Sequence, residues 1–264
     1  MARSALLNVM VQSAMKAGRS LSRDFGEVQN LQVSLKGPSD YVSQADRKAE
    51  EIILAELSRA RPTYGVLAEE SGEEKGTDGQ HRWIVDPLDG TTNFLHGIPL
   101  FAVSIALERQ GEIVAGVVYN PAMDELYTAE RGKGAFLNDR RMRVAGRRQL
   151  ADCVIGTGVP HLGRGKHDAY MVQLRHLMGE VAGVRRMGAA ALDLAYVAAG
   201  RLDGFWEEGL SPWDLAAGIA LIREAGGFVS DLDGGQKMFE LENIVAGNER
   251  IHRELLQLLK RPAN

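Results

Sequence analysis

Asp86 and Asp89 flank Pro87-Leu88 at the end of the apolar run Trp83-Ile84-Val85, and Gly90-Thr91-Thr92-Asn93 follows at once. This order predicts a buried strand that stops at an acid, a proline turn that presents a second acid, and then a helix start. Carboxylates hold hard cations through oxygen, and free N–H groups at a helix start hold phosphate. A site with both features can bring a metal and a phosphate ester together, which is the basis of metal-assisted phosphate hydrolysis. Asp-Pro and Asp-Gly are also common turn dipeptides, so the pair alone does not decide. Its setting does more: a strand this apolar does not normally end in two acids without a partner, because burying unpaired charge is costly. Pro87 also stiffens the turn, which suits preorganised ligands.

Other acids fall at similar junctions. Glu69 and Glu70 follow the short apolar run Gly65-Val66-Leu67-Ala68, and for one of the two a solvated loop start is the simpler reading. Asp46 lies three residues after Ser43, where a helix N-terminus would also favour an acid. Asp214 follows Ser211-Pro212, an N-cap and first-turn pattern that likewise welcomes acids, yet it comes directly after the cluster Glu207-Glu208-Gly209. Acids converging from 46, 69–70, 86–89 and 207–214 would hold more than one Mg²⁺, and without metal would repel one another strongly. Lys36 reads either as a surface lysine or as an offset to this acidic cleft. Arg140, Arg141, Arg143, Arg147 and Arg148 read as a solvated face. His161, His167 and Cys153 have no convincing partners and read as structural or surface residues.

The elements that must carry these acids follow from periodicity. Residues 1–24 read as a helix, with Leu6, Val9, Met10, Ala14, Ala17 and Leu21 on one face. Residues 31–36 read as a strand ended by Gly37-Pro38, and a second helix starts near Ser43. Residues 65–68 read as a short strand, and 71–81, rich in Gly, Glu and Asp, as an exposed mobile loop. Segments 101–107 and 113–119 form a hairpin around Arg109-Gln110-Gly111, with 126–129 and 135–137 extending an antiparallel sheet. The second half alternates: strands near 153–157, 183–187, 203–207, 228–231 and 243–246, and helices near 167–178, 190–199, 212–224 and 249–260. Gly226-Gly227 stops the third of these helices. The expected class is α+β with helices packed on two sheets. The chain reads as a single domain over 1–264, with a possible sub-boundary near 145–152 and the site shared between the two halves.

Composition narrows the function classes. The 264 residues are 45% hydrophobic and 25% charged, with a net charge of -4, which gives no reason to expect general nucleic-acid binding. One cysteine, Cys153, cannot form an internal disulfide, so a reducing cytoplasm is the simplest home. It also excludes a Cys-rich zinc site, and the six histidines include no pair at i, i+4. No stretch approaches the ~18 consecutive apolar residues of a membrane span.

The segment WIVDPLDGTTNF, Trp83 to Phe94, resembles a signature of the inositol monophosphatases, and Trp213 to Gly218 (WDLAAG) resembles their second signature. Ala68-Glu69-Glu70-Ser71 is similar to their Gly-Glu-Glu-Ser motif with alanine for glycine. Residues 39–46 are similar to their Asp-x-Val-Thr-x-x-Asp segment, with Ser43 for the threonine. The fit runs from about residue 4 to residue 258. The run from Arg185 to Tyr196, followed by Gly204-Phe205-Trp206-Glu207, is especially similar to the bacterial SuhB-type branch.

The resemblance implies a layered αβαβα fold, commonly a homodimer, and Mg²⁺-dependent hydrolysis of a phosphate monoester by attack of a metal-activated water. It implies that Glu69, Asp86 and the Leu88 carbonyl hold a first metal, and that Asp86, Asp89 and Asp214 hold a second. A third, weaker ion would sit near Glu69. Thr91, hydrogen-bonded to Asp46, would orient and deprotonate the water. The amides of Gly90 and Thr91, with Thr92 beside them, would grip the phosphate. Asp89, Gly188, Ala190 and Glu207 would contact the inositol hydroxyls. Lithium inhibition is implied too, by replacement of a Mg²⁺.

The expected substrate is myo-inositol 1-phosphate. Histidinol phosphate, fructose 1,6-bisphosphate and 3′-phosphoadenosine 5′-phosphate remain open within the same chemistry, because Glu207 suits a hydroxyl or an amine. A reading of another class is a binding module for the transcription machinery, as in the SuhB-type branch. The basic run at 140–148 favours it only weakly.

Overall fold

Leu7, Met10, Val11, Ala14, Ala17 and Leu21 recur at helical spacing and are buried along one face of α1 (Ala5–Phe25) in the computed structural model. Ser4 caps this helix by accepting the Leu7 N–H at 3.1 Å. The structure describes residues 3–26, 33–35, 41–161 and 165–262. Strands β1 (Val33–Leu35) and β2 (Tyr41–Ser43) pair antiparallel, and α2 (Gln44–Ala60) follows directly. Lys36 and Gly37-Pro38 lie outside the described residues.

A large sheet comes next. It is built from β3 (Gly65–Ala68), β4 (Gly72–Glu74), β5 (His81–Asp89), β6 (Ala102–Arg109), β7 (Glu112–Asn120), β8 (Glu125–Glu130), β9 (Gly134–Leu137) and β10 (Arg140–Met142). Its spatial order is β10-β9-β8-β7-β6-β5-β3-β4, antiparallel except where β3 runs parallel to β5. The short helix α3 (Thr91–Leu95) leaves the end of β5. A second sheet has the order β12-β11-β13-β15-β14, from β11 (Val154–Thr157), β12 (Gly183–Arg185), β13 (Gly204–Glu208), β14 (Phe228–Ser230) and β15 (Asn243–Gly247). Its helices are α4 (His167–Met178), α5 (Ala190–Ala198), α6 (Pro212–Glu224) and α7 (Glu249–Leu259).

Strand alternation explains how these parts stack. On β5, Trp83 and Val85 pack with the buried residues of α1 and α2, whereas Ile84 packs with α5 and α6. On the second sheet, Phe205, Ile244 and Ala246 meet α5 and α6, while Trp206 and Val245 turn to α4 and α7. Two helices thus lie outside the large sheet, two between the sheets and two outside the small one. The fold is the layered αβαβα arrangement expected from the sequence. Each buried Leu- or Phe-sized side chain contributes about 1.5–3 kcal/mol to holding these layers.

Three local readings change. Residues 71–81 are not wholly loop, because Gly72–Glu74 forms the edge strand β4, antiparallel to β3. Its polar Gly-Glu-Glu sequence carries no strand signal, and the pairing comes from its neighbour. The strand through Asp86 does not stop there: β5 runs on to Asp89, with a register shift against β6 between the two acids. Arg140 and Arg141 are exposed, as expected of a solvated face, but lie on the edge strand β10. Residues 143–149 form no regular element and lead from one sheet to the other. Among the described residues no helix is long and apolar enough to cross a membrane.

Candidate active site

The site grows from the end of β5. Asp86 is 1% exposed, and its Oδ1 accepts the Leu88 N–H at 2.9 Å, so the acid itself folds the Pro87 corner. Gly90 then takes φ 87° and opens α3. A Cβ at Gly90 would stand 2.8 Å from the Leu100 carbonyl oxygen, so both the left-handed backbone and the close approach require glycine. The Thr91 hydroxyl donates to the Leu88 carbonyl at 3.0 Å. The first N–H groups of a helix have no partner within it, and α3 directs its start toward the acids.

Two further elements bring carboxylates from the second half. At α6, Ser211 caps and Pro212 begins the helix as the sequence predicts, and Asp214 Oδ2 accepts the Ser211 N–H at 2.7 Å. The helix-start reading of Asp214 is therefore correct, and the same residue also comes close to Asp86 and Asp89. Carboxylate oxygens of Asp86, Asp89 and Asp214 all lie within 4.8 Å of one another. Asp89 Oδ2 also accepts the Ala191 N–H at 2.7 Å, which plants it on the N-terminus of α5. Asn93 adds a brace: its Nδ2 donates to Leu100 O at 2.7 Å and to Met187 O at 2.9 Å, tying this turn to the segment that leads into Gly188.

Glu69 enters from β3, where its N–H continues the ladder onto Val85 O at 3.2 Å. Of the two neighbouring acids it is Glu69 that lines the cavity. Glu70 is not the solvated loop residue expected for one of the pair: its side chain is 8% exposed, with its carboxylate 3.7 Å from Arg47 on α2.

These groups line one cavity of about 770 Å³, within the size range of small-molecule sites. Leu88, Gly90, Thr91 and Thr92 line its inner wall beside the acids. Gly188, Ala190 and Glu207 line the same cavity. Asp46 is not part of the lining; it is 2% exposed on α2. Residues that sequence reasoning passed over lie at the cavity or beside it. His161 and Arg186 join the lining, and Arg186 brings a positive charge. Gly158 lies so close beneath Glu207 that a Cβ there would fall 1.7 Å from Oε1. Asp193, on the first turn of α5, is 1% exposed with Oδ1 lacking a hydrogen-bond partner. None of these has a local sequence signal, because each acquires its place through packing.

The electrostatics fit a cation. Burial, then Glu69, Asp89 and Asp214, hold the Asp86 carboxyl well above its ordinary value. Burial and Asp214 push Asp89 up to about 7, against the N–H groups at the start of α5. Glu207 is pushed up to about 8 by burial, Asp214 and Asp89, with Arg186 pulling the other way. Burial, Glu207 and Asp89 likewise raise Asp193. Close buried acids with oxygen donors only are the donor set of Mg²⁺ or Ca²⁺ rather than of zinc. The residues present therefore fit a hard divalent ion.

A sequence model of the inositol monophosphatase family matches residues 2–262. The chain belongs to the inositol monophosphatase family. It is thereby a phosphatase. Over 262 residues it is 78% identical to an inositol-1-monophosphatase of Mesorhizobium japonicum, covering 99% of this chain and 98% of that protein. Over 251 residues it is 45% identical to the Nus factor SuhB of Escherichia coli K12, covering 95% and 94%. Among solved structures it matches the extragenic suppressor protein SuhB of Bartonella henselae at TM-score 0.96 and 69% identity, over 98% of this chain and 100% of that one. The inositol monophosphatase of Thermotoga maritima matches at TM-score 0.88 and 36% identity, covering 97% of each chain.

Proposed function

We propose that this phosphatase hydrolyses myo-inositol 1-phosphate to myo-inositol and phosphate with the aid of Mg²⁺. The observation that carries the reading is the meeting of Asp86, Asp89 and Asp214 within 4.8 Å in a cavity that also holds the Gly90–Thr91 turn and Glu207. The names of relatives 78% and 73% identical, both inositol-1-monophosphatases, support the substrate.

Glu69, Asp86 and the Leu88 carbonyl would hold one ion, Asp86, Asp89 and Asp214 a second, and a weaker third would sit near Glu69. Bound Mg²⁺ supplies Lewis acidity, acidifies water and offsets charge on the leaving oxygen. The chain's own groups do the rest. Thr91, backed by Asp46, orients the attacking water. The N–H groups of Gly90 and Thr91, with Thr92 beside them, hold the phosphoryl oxygens as charge builds on them. Asp89, Gly188, Ala190 and Glu207 position the ring hydroxyls. The same reading carries inhibition by Li⁺, a homodimeric assembly and a cytoplasmic setting.

Phosphate release from a panel of esters, with and without Mg²⁺ and Li⁺, tests it. The panel holds inositol 1-phosphate, histidinol phosphate, fructose 1,6-bisphosphate, 3′-phosphoadenosine 5′-phosphate and β-glycerophosphate. Mg²⁺-dependent, Li⁺-sensitive preference for inositol 1-phosphate is expected. Preference for another ester keeps the chemistry and replaces the substrate. Inactivity on every ester with Mg²⁺ bound refutes the reading.

A second reading is contact with the transcription machinery, favoured by relatives named Nus factor SuhB at 46% and 45% identity. Capture of RNA polymerase by both the wild-type chain and Asp86→Asn would support it. Capture by neither would remove it.

A further inference from the structure

Helix α2 buries Ala45, Ala49, Ile53 and Leu57 on one face, and among them it also buries the acid Glu50, 4% exposed. A carboxylate is costly in such a place unless hydrogen bonds satisfy it. Glu50 Oε2 accepts the backbone N–H of Glu70 at 2.9 Å, a contact spanning 20 residues of sequence. Glu70 directly follows Glu69, the acid from β3 that lines the cavity. The Glu69 N–H is held on Val85 O, one residue before Asp86. The peptide that carries Glu69 is therefore fixed at both ends, by β5 on one side and by Glu50 on the other. Arg47, three residues before Glu50 on α2, also reaches the Glu70 carboxylate at 3.7 Å. With both its amide and its side chain turned to α2, Glu70 leaves Glu69 facing the cavity.

We propose that Glu50 is a positioning residue for the metal site: its hydrogen bond to the Glu70 amide sets where the Glu69 carboxylate points. This rests on the proposed role of Glu69 as a metal ligand. Glu50 itself touches neither substrate nor ion. Its contribution is aim, and losing the partner that orients a metal ligand typically weakens metal binding about 10–100-fold.

Two conservative variants separate the hydrogen bond from the charge. Glu50→Gln keeps an acceptor oxygen at the same reach and removes the charge. Glu50→Asp keeps the charge and withdraws the oxygen by one methylene. Mn²⁺ binding to the full-length protein, read by electron paramagnetic resonance and calorimetry, is the probe, with circular dichroism confirming the fold. Glu50→Asp should bind Mn²⁺ about tenfold more weakly. It should need correspondingly more Mg²⁺ for half-maximal phosphate release, with an unchanged KM for substrate at saturating Mg²⁺. Glu50→Gln should stay close to wild type. Wild-type Mn²⁺ affinity in Glu50→Asp, or equal impairment in both variants, overturns the inference alone. A wild-type protein that binds no Mn²⁺ sinks the metal reading and this inference with it.

Discussion

Asp89→Asn offers a stringent test, because it should stabilise the metal-free protein while crippling the site. In the folded chain the Asp89 carboxyl moves from its ordinary 3.8 to about 7, through burial and the Asp214 charge. Since the folded value lies above the unfolded one, Asp89 contributes fully to stability below about pH 4. That contribution falls as pH rises and is gone above about pH 7. At ~1.36 kcal/mol per pH unit the full linkage is about 4 kcal/mol. Asparagine carries no charge at any pH, so it escapes the loss. Its amide oxygen can still accept the Ala191 N–H, but without the ~0.3–1 kcal/mol that an anion gains at a helix start. Relaxation of the neighbouring acids reduces the gain further. A net stabilisation of about 1–2 kcal/mol at pH 8 is expected, or roughly 3–6 °C for a chain of this size. Thermal unfolding in a chelator, followed by circular dichroism at pH 4 and pH 8, measures it. The variant should exceed wild type at pH 8 and come close to it at about pH 4. Adding Mg²⁺ should reverse the order at pH 8, because an ion held at 100 times its Kd adds about 2.7 kcal/mol to the form that binds it. A variant no more stable than wild type at pH 8 in chelator would refute the claim that these acids repel one another.

Three further outcomes follow from the same geometry. Asp86→Asn should lower turnover by at least about a hundredfold with the circular dichroism spectrum unchanged, and wild-type turnover would overturn its assignment to both ions. Gly158→Ala should displace the Glu207 carboxylate, whose Oε1 lies 1.7 Å from the added Cβ, and raise KM several-fold with little change in Mg²⁺ requirement; unchanged kinetics across the substrate panel would show that Glu207 does not position substrate. The Cys153 thiol, fully buried and pushed up to about 12 mainly by burial, should resist a disulfide-exchange reagent at pH 8 in native protein and react within minutes after denaturation.

The sequence made most elements legible because they are amphipathic. α1 and α2 show their apolar faces at helical spacing, and the hairpin of β6 and β7 shows its apolar runs on either side of a turn. The unexpected strands lack that pattern. β4 is Gly-Glu-Glu and β10 is Arg-Arg-Met, both at sheet edges, where a neighbour supplies the pairing and the charged side chains meet water. The acids at 69, 86 and 89 stand out as charges at the ends of apolar runs and Asp214 as an acid at a helix start beside an acidic cluster, and the family resemblance implies their roles. Glu50 and Asp193 gave no such sign, because an acid within a helical sequence reads as solvent-facing until the tertiary neighbours are known. Gly158 was silent for the same reason: its importance lies in the carboxylate that rests on it.

The register shift in β5 settles a question of parity. In an unbroken strand, residues three apart point to opposite faces. Asp86 follows Ile84 on the face toward α5 and α6, so Asp89 would have pointed into the apolar layer under α1 and α2. The extra residue between them inverts the alternation. Leu88 accordingly joins the apolar layer with Trp83 and Val85, and Asp89 turns to Ala191. The site therefore depends on this one irregularity as much as on the identity of its acids. With the same residues in unbroken alternation, Leu88 and Asp89 would exchange across the sheet, driving a charge into the core and a leucine into the cavity. The bulge, rather than the acids alone, is what sets Asp86 and Asp89 on one face.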